Sequence, residues 1–134
     1  MEKFNPHVIL SAAISIDGKI STKIGDSKLS SKSDSIRLHK LRSKVDAILI
    51  GKNTLLQDDP LLTVRYTKGK NPIRIILDST GSIPINSRII KTSNDVPTII
   101  AVSKKISKKN LLKLQKLPVE IIIAGENSIN LTLL

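Results

Sequence analysis

The sequence contains no cysteine and no tryptophan, and Phe4 and Tyr66 are its only phenylalanine and tyrosine. The absence of cysteine excludes disulfides, thiolate nucleophiles and cysteine-ligated zinc or iron–sulfur sites. No uninterrupted apolar run approaches the roughly 20 residues that a membrane-spanning helix needs, and residues 1–6 do not resemble a signal peptide. We therefore expect a cytoplasmic enzyme or binding protein with no membrane partner.

Acidic residues are scarce relative to basic ones. There are 22 Lys and Arg against 11 Asp and Glu, a net charge of +11, so the surface should attract anions such as phosphates or nucleic acid. Proteins that bind single strands or RNA usually combine such charge with aromatic stacking platforms, which are nearly absent here. Small phosphorylated ligands are therefore favoured, and a basic nucleic-acid-binding domain is the alternative from another class.

The composition, 40% hydrophobic and 25% charged, is that of one globular domain over residues 1–134. Most of the apolar, β-branched runs do not alternate with polar residues, which is typical of strands buried on both faces. The sequence thus predicts an α/β domain with a largely parallel central sheet covered by helices. Its predicted strands are His7 to Ile14, Ala47 to Ile50, Ile73 to Leu77, Thr98 to Val102 and Val119 to Ala124.

Two helices are predicted between these strands. The first has Ser31 or Ser33 as its N-cap and an acidic first turn at Asp34. The second runs from about Ser107 to Leu117, where Pro118 stops it. Near the C-terminus, Asn130 is a candidate N-cap followed by a single turn, too short to be stable alone, so we expect the domain to continue beyond Leu134. The apolar residues predicted to face the core are Leu38, Leu41 and Val45 of the first helix and Leu111, Leu114 and Leu117 of the second.

Two segments have the composition of ligand-binding loops. Residues 11–19 leave a predicted strand and end in an Asp17-Gly18 turn, at a position where α/β sheets bind ligands. Residues 51–65 follow the next strand, with Thr54 able to hydrogen-bond a ligand or to cap a short helix. In the same segment a polar bend stands before Pro60, and Arg65 offers a fork of donors suited to phosphate.

Other catalytic patterns are lacking. His7 and His39 have no Glu or His at metal-ligand spacing, so structural or surface roles are favoured and no metal is expected. The sequence has no P-loop, G-x-G-x-x-G segment or nucleophile elbow. Hydride transfer fits this composition because the cofactor carries the chemistry while the protein binds and orients.

Four segments together resemble the riboflavin-pathway reductases, which have a dihydrofolate-reductase-like three-layer fold. The similarity covers nearly the whole chain, in the order and spacing of that family. Because no deaminase zinc motif precedes it, the chain is most similar to the standalone archaeal and fungal form. The matching segments are Ser11 to Lys19, Arg42 with Val45 to Gly51, Thr54 to Arg65, and Asn71 to Ser79.

The resemblance implies reduction of 2,5-diamino-6-ribosylamino-4(3H)-pyrimidinone 5′-phosphate, in which C1′ of the opened ribosylamine accepts hydride from NADPH or, less often, NADH. The deaminated substrate 5-amino-6-(5-phosphoribosylamino)uracil is the near alternative. Full-length family members are expected to form homodimers. They continue into a Leu-Glu-Gly-Gly-Gly type segment that contacts the cofactor phosphates, and this segment is missing from the C-terminal part of the 134 residues. An inactive or binding-only fragment is therefore a further alternative.

The resemblance also implies roles for individual residues. Asp58 is expected between the cofactor and the substrate, and Asp17 and Lys19 at the turn beside the site, all three in supporting roles. A ribose phosphate is a dianion, which two arginines can bind through charge-assisted hydrogen bonds while a serine adds a donor. The expected cofactor contacts are Ala13, Leu29, Thr54, Asp58 and Ser79, and the expected substrate contacts are Ser27, Arg42, Leu62 and Arg65.

Overall fold

The computed structural model of the chain describes residues 5–22 and 31–134. Within these two ranges four helices and four strands follow one another, and a single 3₁₀ turn, Leu131–Leu133, comes last. In chain order they are α1 (Lys32–Arg42), β1 (Ala47–Gly51), α2 (Lys52–Asp58), β2 (Ile73–Leu77), α3 (Arg88–Lys91), β3 (Thr98–Val102), α4 (Lys108–Gln115) and β4 (Glu120–Ile123).

The strands form one parallel sheet in the order β1-β2-β3-β4. Parallel crossovers are right-handed, so connections between strands that follow one another in space place their helices on the same face. The core accordingly lies on one face, where Leu55 of α2, Ile89 of α3 and Leu114 of α4 pack with Ile76 and Ile100 of the sheet. The predicted α/β class and parallel sheet are confirmed.

The opposite face of the sheet is apolar and only partly covered among the described residues. The register places Leu49, Ile75 and Ile99 in one row on it. Leu49 is 47% exposed and Ile73 38%. The prediction that the strands are buried on both faces was therefore wrong for β1 and for the start of β2, because α2, α3 and α4 all cover the other side, whereas β3 is buried or half-buried along its length.

The predicted first strand, His7 to Ile14, was also wrong. This segment has no regular secondary structure, and Val8 and Leu10 are 80% and 92% exposed. A strand exists only where a neighbour supplies hydrogen bonds to its backbone, whatever its side-chain propensity. Among the described residues the sheet consists of β1 to β4, and none of these strands pairs with residues 7–14.

The helix starts follow the expected capping chemistry. Ser31 accepts a hydrogen bond from the backbone N–H of Asp34, and Ser107 does the same for Asn110. In α1 the apolar stripe was predicted less well, since the helix ends at Arg42, before Val45, and its buried residue is His39. Asn130 caps its predicted turn by accepting from the backbone N–H of Thr132.

A charged side chain lies inside the core. Arg74 of β2 is fully buried, and its guanidinium donates to the Thr98 hydroxyl and to the carbonyls of Leu61, Ile89 and Val96. These bonds connect β2 to β3, to α3 and to the loop after α2. Within the described ranges no helix combines the length and apolar character that crossing a membrane requires.

Candidate functional site

A basic cluster forms where the last turn of α1 meets the loop between α2 and β2. His39, only 3% exposed, accepts a hydrogen bond at Nδ1 from the backbone N–H of Arg65, 2.8 Å away. Nη1 of Arg42, one turn further along α1, lies 3.4 Å from Nε2 of the same ring and 3.3 Å from the carbonyl oxygen of Thr63. Two predicted substrate residues, Arg42 and Arg65, are therefore brought together by a histidine.

The electrostatics of this cluster are those of concentrated positive charge. Burial lowers the pKa of His39, and the guanidinium groups of Arg42 and Arg65 lower that pKa further. Burial and the nearby Arg65 also lower the pKa of Arg42. The ion pairs of the described residues involve Arg37, Lys52 and Lys104, so within the described ranges neither arginine of the cluster has a carboxylate partner.

Two further contacts fix the loop that carries Arg65. The side-chain oxygen of Asn71 accepts from the backbone N–H of Val64 at 2.8 Å. The Tyr66 ring stands 4.5 Å from the His39 ring, centroid to centroid, and the Arg65 guanidinium carbon lies 5.8 Å from the centroid of Tyr66. The arginine is thereby held close to α1 although it comes from a loop.

A second polar group lies beyond the carboxyl end of β2. The carboxylate of Asp78, 3% exposed, accepts from the backbone N–H groups of Ser82 and Ile83 at 2.6 and 2.9 Å, and Thr80 donates to its other oxygen. The ammonium of Lys52, at the start of α2, lies 4.0 Å from Asp78 and 2.5 Å from the Ser82 hydroxyl. This group fixes the loop that follows the strand.

Ser79, a predicted cofactor residue, lies next to that carboxylate. Its hydroxyl accepts from the backbone N–H of Ile129 at 3.3 Å, and its carbonyl accepts from the Ser103 hydroxyl at 2.8 Å. Gly125 allows the segment after β4 to fold back closely, because any residue with a Cβ at this position would place it 2.1 Å from the Ser128 carbonyl oxygen. The ends of β2, β3 and β4 are therefore joined at one edge of the sheet.

Helix α2 is short, and the residue that follows it, Asp59, has a left-handed backbone conformation. Gly51 is the N-cap of α2, so Thr54 lies within the helix, exposed, and does not cap it. Asp58 ends the helix and is exposed. Asp59 has a φ of 38°, and its carboxylate accepts from the backbone N–H of Arg88 at the start of α3. The predicted polar bend exists, and Asp59 stabilises it.

The remaining predicted residues lie in different surroundings. Leu62, with a φ of 55°, is 4% exposed and packs in the hydrophobic core. The predicted Asp17-Gly18 turn is present, with Asp17 accepting from the Ser15 hydroxyl and Gly18 at a φ of 78°. Ala13 and Lys19 are exposed. Ser27 and Leu29 lie outside the described residues.

The structure therefore brings together Arg42 with Arg65, and it places Ser79 beside the Lys52–Asp78 group at the strand ends. The sequence alone did not identify His39 and Lys52 as members of these groups. For His39 a signal was available, because it lies three residues before Arg42 and so shares a helix face with it.

The described residues contain no group of three or more His, Asp or Glu side chains arranged to hold a metal ion. Two open hollows lie away from the basic cluster. One is lined by α4 residues including Lys108, Leu112 and Lys116. The other, lined by residues including Lys104, Gly125 and Ser128, adjoins the segment that contacts Ser79.

Comparison with known proteins gives consistent similarities. A family model described as "RibD C-terminal domain" matches residues 6–133. The 2,5-diamino-6-ribosylamino-4(3H)-pyrimidinone 5′-phosphate reductase of Methanothermobacter thermautotrophicus is 40% identical over 132 residues, covering 96% of this chain and 60% of that protein. The protein of the same name from Aquifex aeolicus is 40% identical over 130 residues, covering 93% of this chain and 58% of its own length. The chain thus spans less than two-thirds of the length of these relatives.

Longer proteins also match. The riboflavin biosynthesis protein RibD of Aquifex aeolicus is 38% identical over 128 residues, covering 94% of this chain and 35% of that one. Among solved structures, a diaminohydroxyphosphoribosylaminopyrimidine deaminase/5-amino-6-(5-phosphoribosylamino)uracil reductase from Thermotoga maritima superposes with a TM-score of 0.61 at 26% identity. That match covers 85% of this chain and 37% of the other. The similarity confirms the predicted fold class, α/β of the dihydrofolate-reductase type.

Proposed function

The chain belongs to the RibD C-terminal domain family, and on this premise we propose that it provides the substrate-phosphate site and part of the cofactor site of a reductase. The reaction is hydride transfer from NADPH to the ribosylamino side chain of a pyrimidinone 5′-phosphate in riboflavin biosynthesis. The observation that carries the proposal is the pair Arg42 and Arg65, held against His39 with no carboxylate partner among the described residues.

Phosphate is the anion that this pair suits best. The Arg65 guanidinium lowers the pKa of Arg42, which shows that the two positive charges repel each other. A doubly charged anion bound between them would offset this repulsion. Arg42 belongs to a helix and Arg65 to a loop tied to that helix, so the backbone positions that carry the two donors are fixed before the ligand arrives. Such preorganisation reduces the entropic cost of binding.

The described residues also fit part of a dinucleotide. Among the described residues other than its chain neighbours, none has an atom within 4 Å of the place where a Cβ on Gly51 would stand, so the backbone at the end of β1 is open to close approach. The exposed Thr54 hydroxyl, in the first turn of α2, and the Ser79 hydroxyl at the end of β2 are candidate hydrogen-bonding groups for it. When bound, the nicotinamide supplies the hydride, and these residues bind and orient it.

The relatives' names support two related substrates. Those of Methanothermobacter and Aquifex are named for the diaminated pyrimidinone phosphate, whereas the Thermotoga protein is named for the deaminated uracil. We propose the diaminated compound because the relatives named for it share more identity over more of this chain. NADPH, in preference to NADH, the homodimer and the cytoplasmic location remain predictions.

The experiment that tests the proposal is oxidation of NADPH by this chain, followed by its absorbance, with each of the two substrates and again with NADH. The expected result is substrate-dependent oxidation that is faster with the diaminated compound. If NADPH and the diaminated substrate each fail to bind in separate titrations, the proposal is wrong. If nucleic acid binds tightly with a steep dependence on salt instead, the protein is a nucleic-acid-binding domain.

A further inference from the structure

The protonation of His39 follows from its two nitrogen contacts. At 2.8 Å the backbone N–H of Arg65 must donate to Nδ1, because two donors cannot approach so closely. A neutral imidazole has one donor and one acceptor, so the hydrogen stands on Nε2. The opposite assignment would make the 2.8 Å contact a clash between two N–H groups in order to satisfy a contact of 3.4 Å.

With this tautomer, Nε2 and Arg42 Nη1 are both donors, since a guanidinium has no acceptor. Their 3.4 Å contact is therefore not a hydrogen bond, and the Nε2–H group has no acceptor among the described residues. His39 as a whole is 3% exposed, so water satisfies this donor poorly. Buried donors are normally paired, which makes this one a position where an acceptor is missing.

We propose that His39 is a third ligand of the anion held by Arg42 and Arg65, donating from Nε2–H to a phosphate oxygen. The inference rests on the proposed function, because it takes that anion to be the 5′-phosphate of the substrate. An oxygen placed between Nε2 and Nη1 accepts from both, and the two facing donors then share one acceptor.

The hydrogen bond from Arg65 also keeps His39 neutral when the anion binds. An anion near an imidazole favours the protonated form, but a proton on Nδ1 would break the bond from the backbone N–H of Arg65. The two neighbouring guanidinium groups oppose protonation as well. The histidine therefore works as a neutral donor of fixed orientation, and its ring also positions the loop that carries Arg65.

The first test is the tautomer and its response to phosphate in the unmodified chain. Long-range proton–nitrogen NMR spectra of the imidazole ring distinguish Nε2–H from Nδ1–H, and inorganic phosphate at constant ionic strength is the probe. We expect the Nε2–H tautomer and a saturable shift of the Nε2 resonance. Finding the Nδ1–H tautomer would overturn the inference. So would imidazole resonances that do not change with phosphate while the guanidinium resonances of Arg42 and Arg65 shift.

A pair of variants separates anion binding from loop positioning. His39→Asn can keep an acceptor near Nδ1 and loses the Nε2 donor, whereas His39→Gln places an amide donor near Nε2 and loses the acceptor. We expect the Asn variant to weaken phosphate binding about tenfold or more, and the Gln variant to weaken it less. The reverse order, at equal thermal stability, would mean that His39 only positions Arg65.

Arg42→Gln distinguishes failure of this inference from failure of the proposed function. If Arg42→Gln abolishes phosphate binding but His39→Asn leaves it unchanged, the arginine site stands and the role of His39 is wrong. If phosphate binds equally well to both variants and to the unmodified chain, the arginine site is wrong too. Should either His39 variant fail to fold, the NMR titration of the unmodified chain decides the question.

Discussion

Arg74 and Thr98 are joined in the core by two hydrogen bonds, from Nε over 3.1 Å and from Nη2 over 2.7 Å, to the same hydroxyl oxygen. The register pairs the two residues across β2 and β3. The guanidinium has only neutral acceptors among the described residues, and burial lowers the pKa of Arg74. Its guanidinium also donates to carbonyl groups of three different segments and so connects them inside the core.

Replacing Arg74 with methionine should destabilise the protein severely. The change leaves the carbonyl oxygens of Leu61, Ile89 and Val96 buried without these donors, and each unsatisfied group costs about 1–3 kcal/mol. We expect the free energy of unfolding, measured in urea, to fall by about 3 kcal/mol or more. Arg37→Met, at an exposed arginine of α1, is the control and should change stability by less than about 0.5 kcal/mol. Equal effects in both variants would refute the structural role of Arg74.

Asp78→Asn should also destabilise the protein. An amide nitrogen in place of one carboxylate oxygen would face a backbone N–H, either of Ser82 or of Thr80, and so lose that bond. We expect a loss of about 2 kcal/mol in the free energy of unfolding. Asp95→Asn is the matched control because Asp95 is exposed. Unchanged stability in Asp78→Asn would mean that the loop after β2 is held by other contacts.

Stability should fall in mildly acidic solution because of His39. Its pKa is lowered in the folded state, so below the unfolded value of about 6.5 the unfolded chain binds a proton that the folded chain does not. The stabilising contribution is complete above about pH 6.5 and is lost as the pH falls through the folded-state pKa. The other groups facing the ring are Arg42, Arg65 and Tyr66.

The measurement is the urea midpoint of the unmodified chain and of His39→Asn across this range, above the pH where carboxylates titrate. The midpoint of the unmodified chain should decrease more steeply as the solution is acidified. His7 is exposed and present in both proteins, so the difference isolates His39. Parallel curves would contradict the buried, neutral state of this histidine.

Thr54→Val should raise the dissociation constant of NADPH, by about tenfold at most, because it removes one neutral hydrogen-bonding group and keeps the shape of the side chain. Thr54 does not cap α2, so the helix should survive the change. Circular dichroism checks that survival, and the affinity for inorganic phosphate should stay the same. An unchanged affinity for NADPH would remove Thr54 from the cofactor site.

Four of the five predicted strands could be located to within one residue at each end, including Val119 to Ala124, which is observed as Glu120–Ile123. The runs Ile73–Leu77 and Thr98–Val102 match their strands, and β1 is one residue longer than predicted. Continuous apolar runs between turn signals are strong indicators for buried strands. The failure at residues 7–14 has the same origin, since periodicity reports what a segment can bury and not whether a partner strand is present.

The candidate site was only partly predictable. The positions of Arg42 and Arg65 came from resemblance, and the sequence offered no measure of their separation. His39 was interpreted as structural or surface, because a lone histidine has no pattern that marks it as a ligand. Its tautomer depends on a backbone group of Arg65, which only the three-dimensional structure reveals. The burial of Arg74 could not be predicted from the sequence either, because a charged residue within an apolar run is exposed in most strands.

The measurement that tests the central claim most directly compares substrate with and without its 5′-phosphate. Dissociation constants are measured for the unmodified chain and for Arg65→Ala, with Arg37→Ala as the control. The arginine site predicts that Arg65→Ala weakens binding of the phosphorylated compound about tenfold or more while its affinities for the dephosphorylated compound and for NADPH stay within about twofold. Equal loss for all three ligands, or no loss for the phosphorylated one, would contradict it.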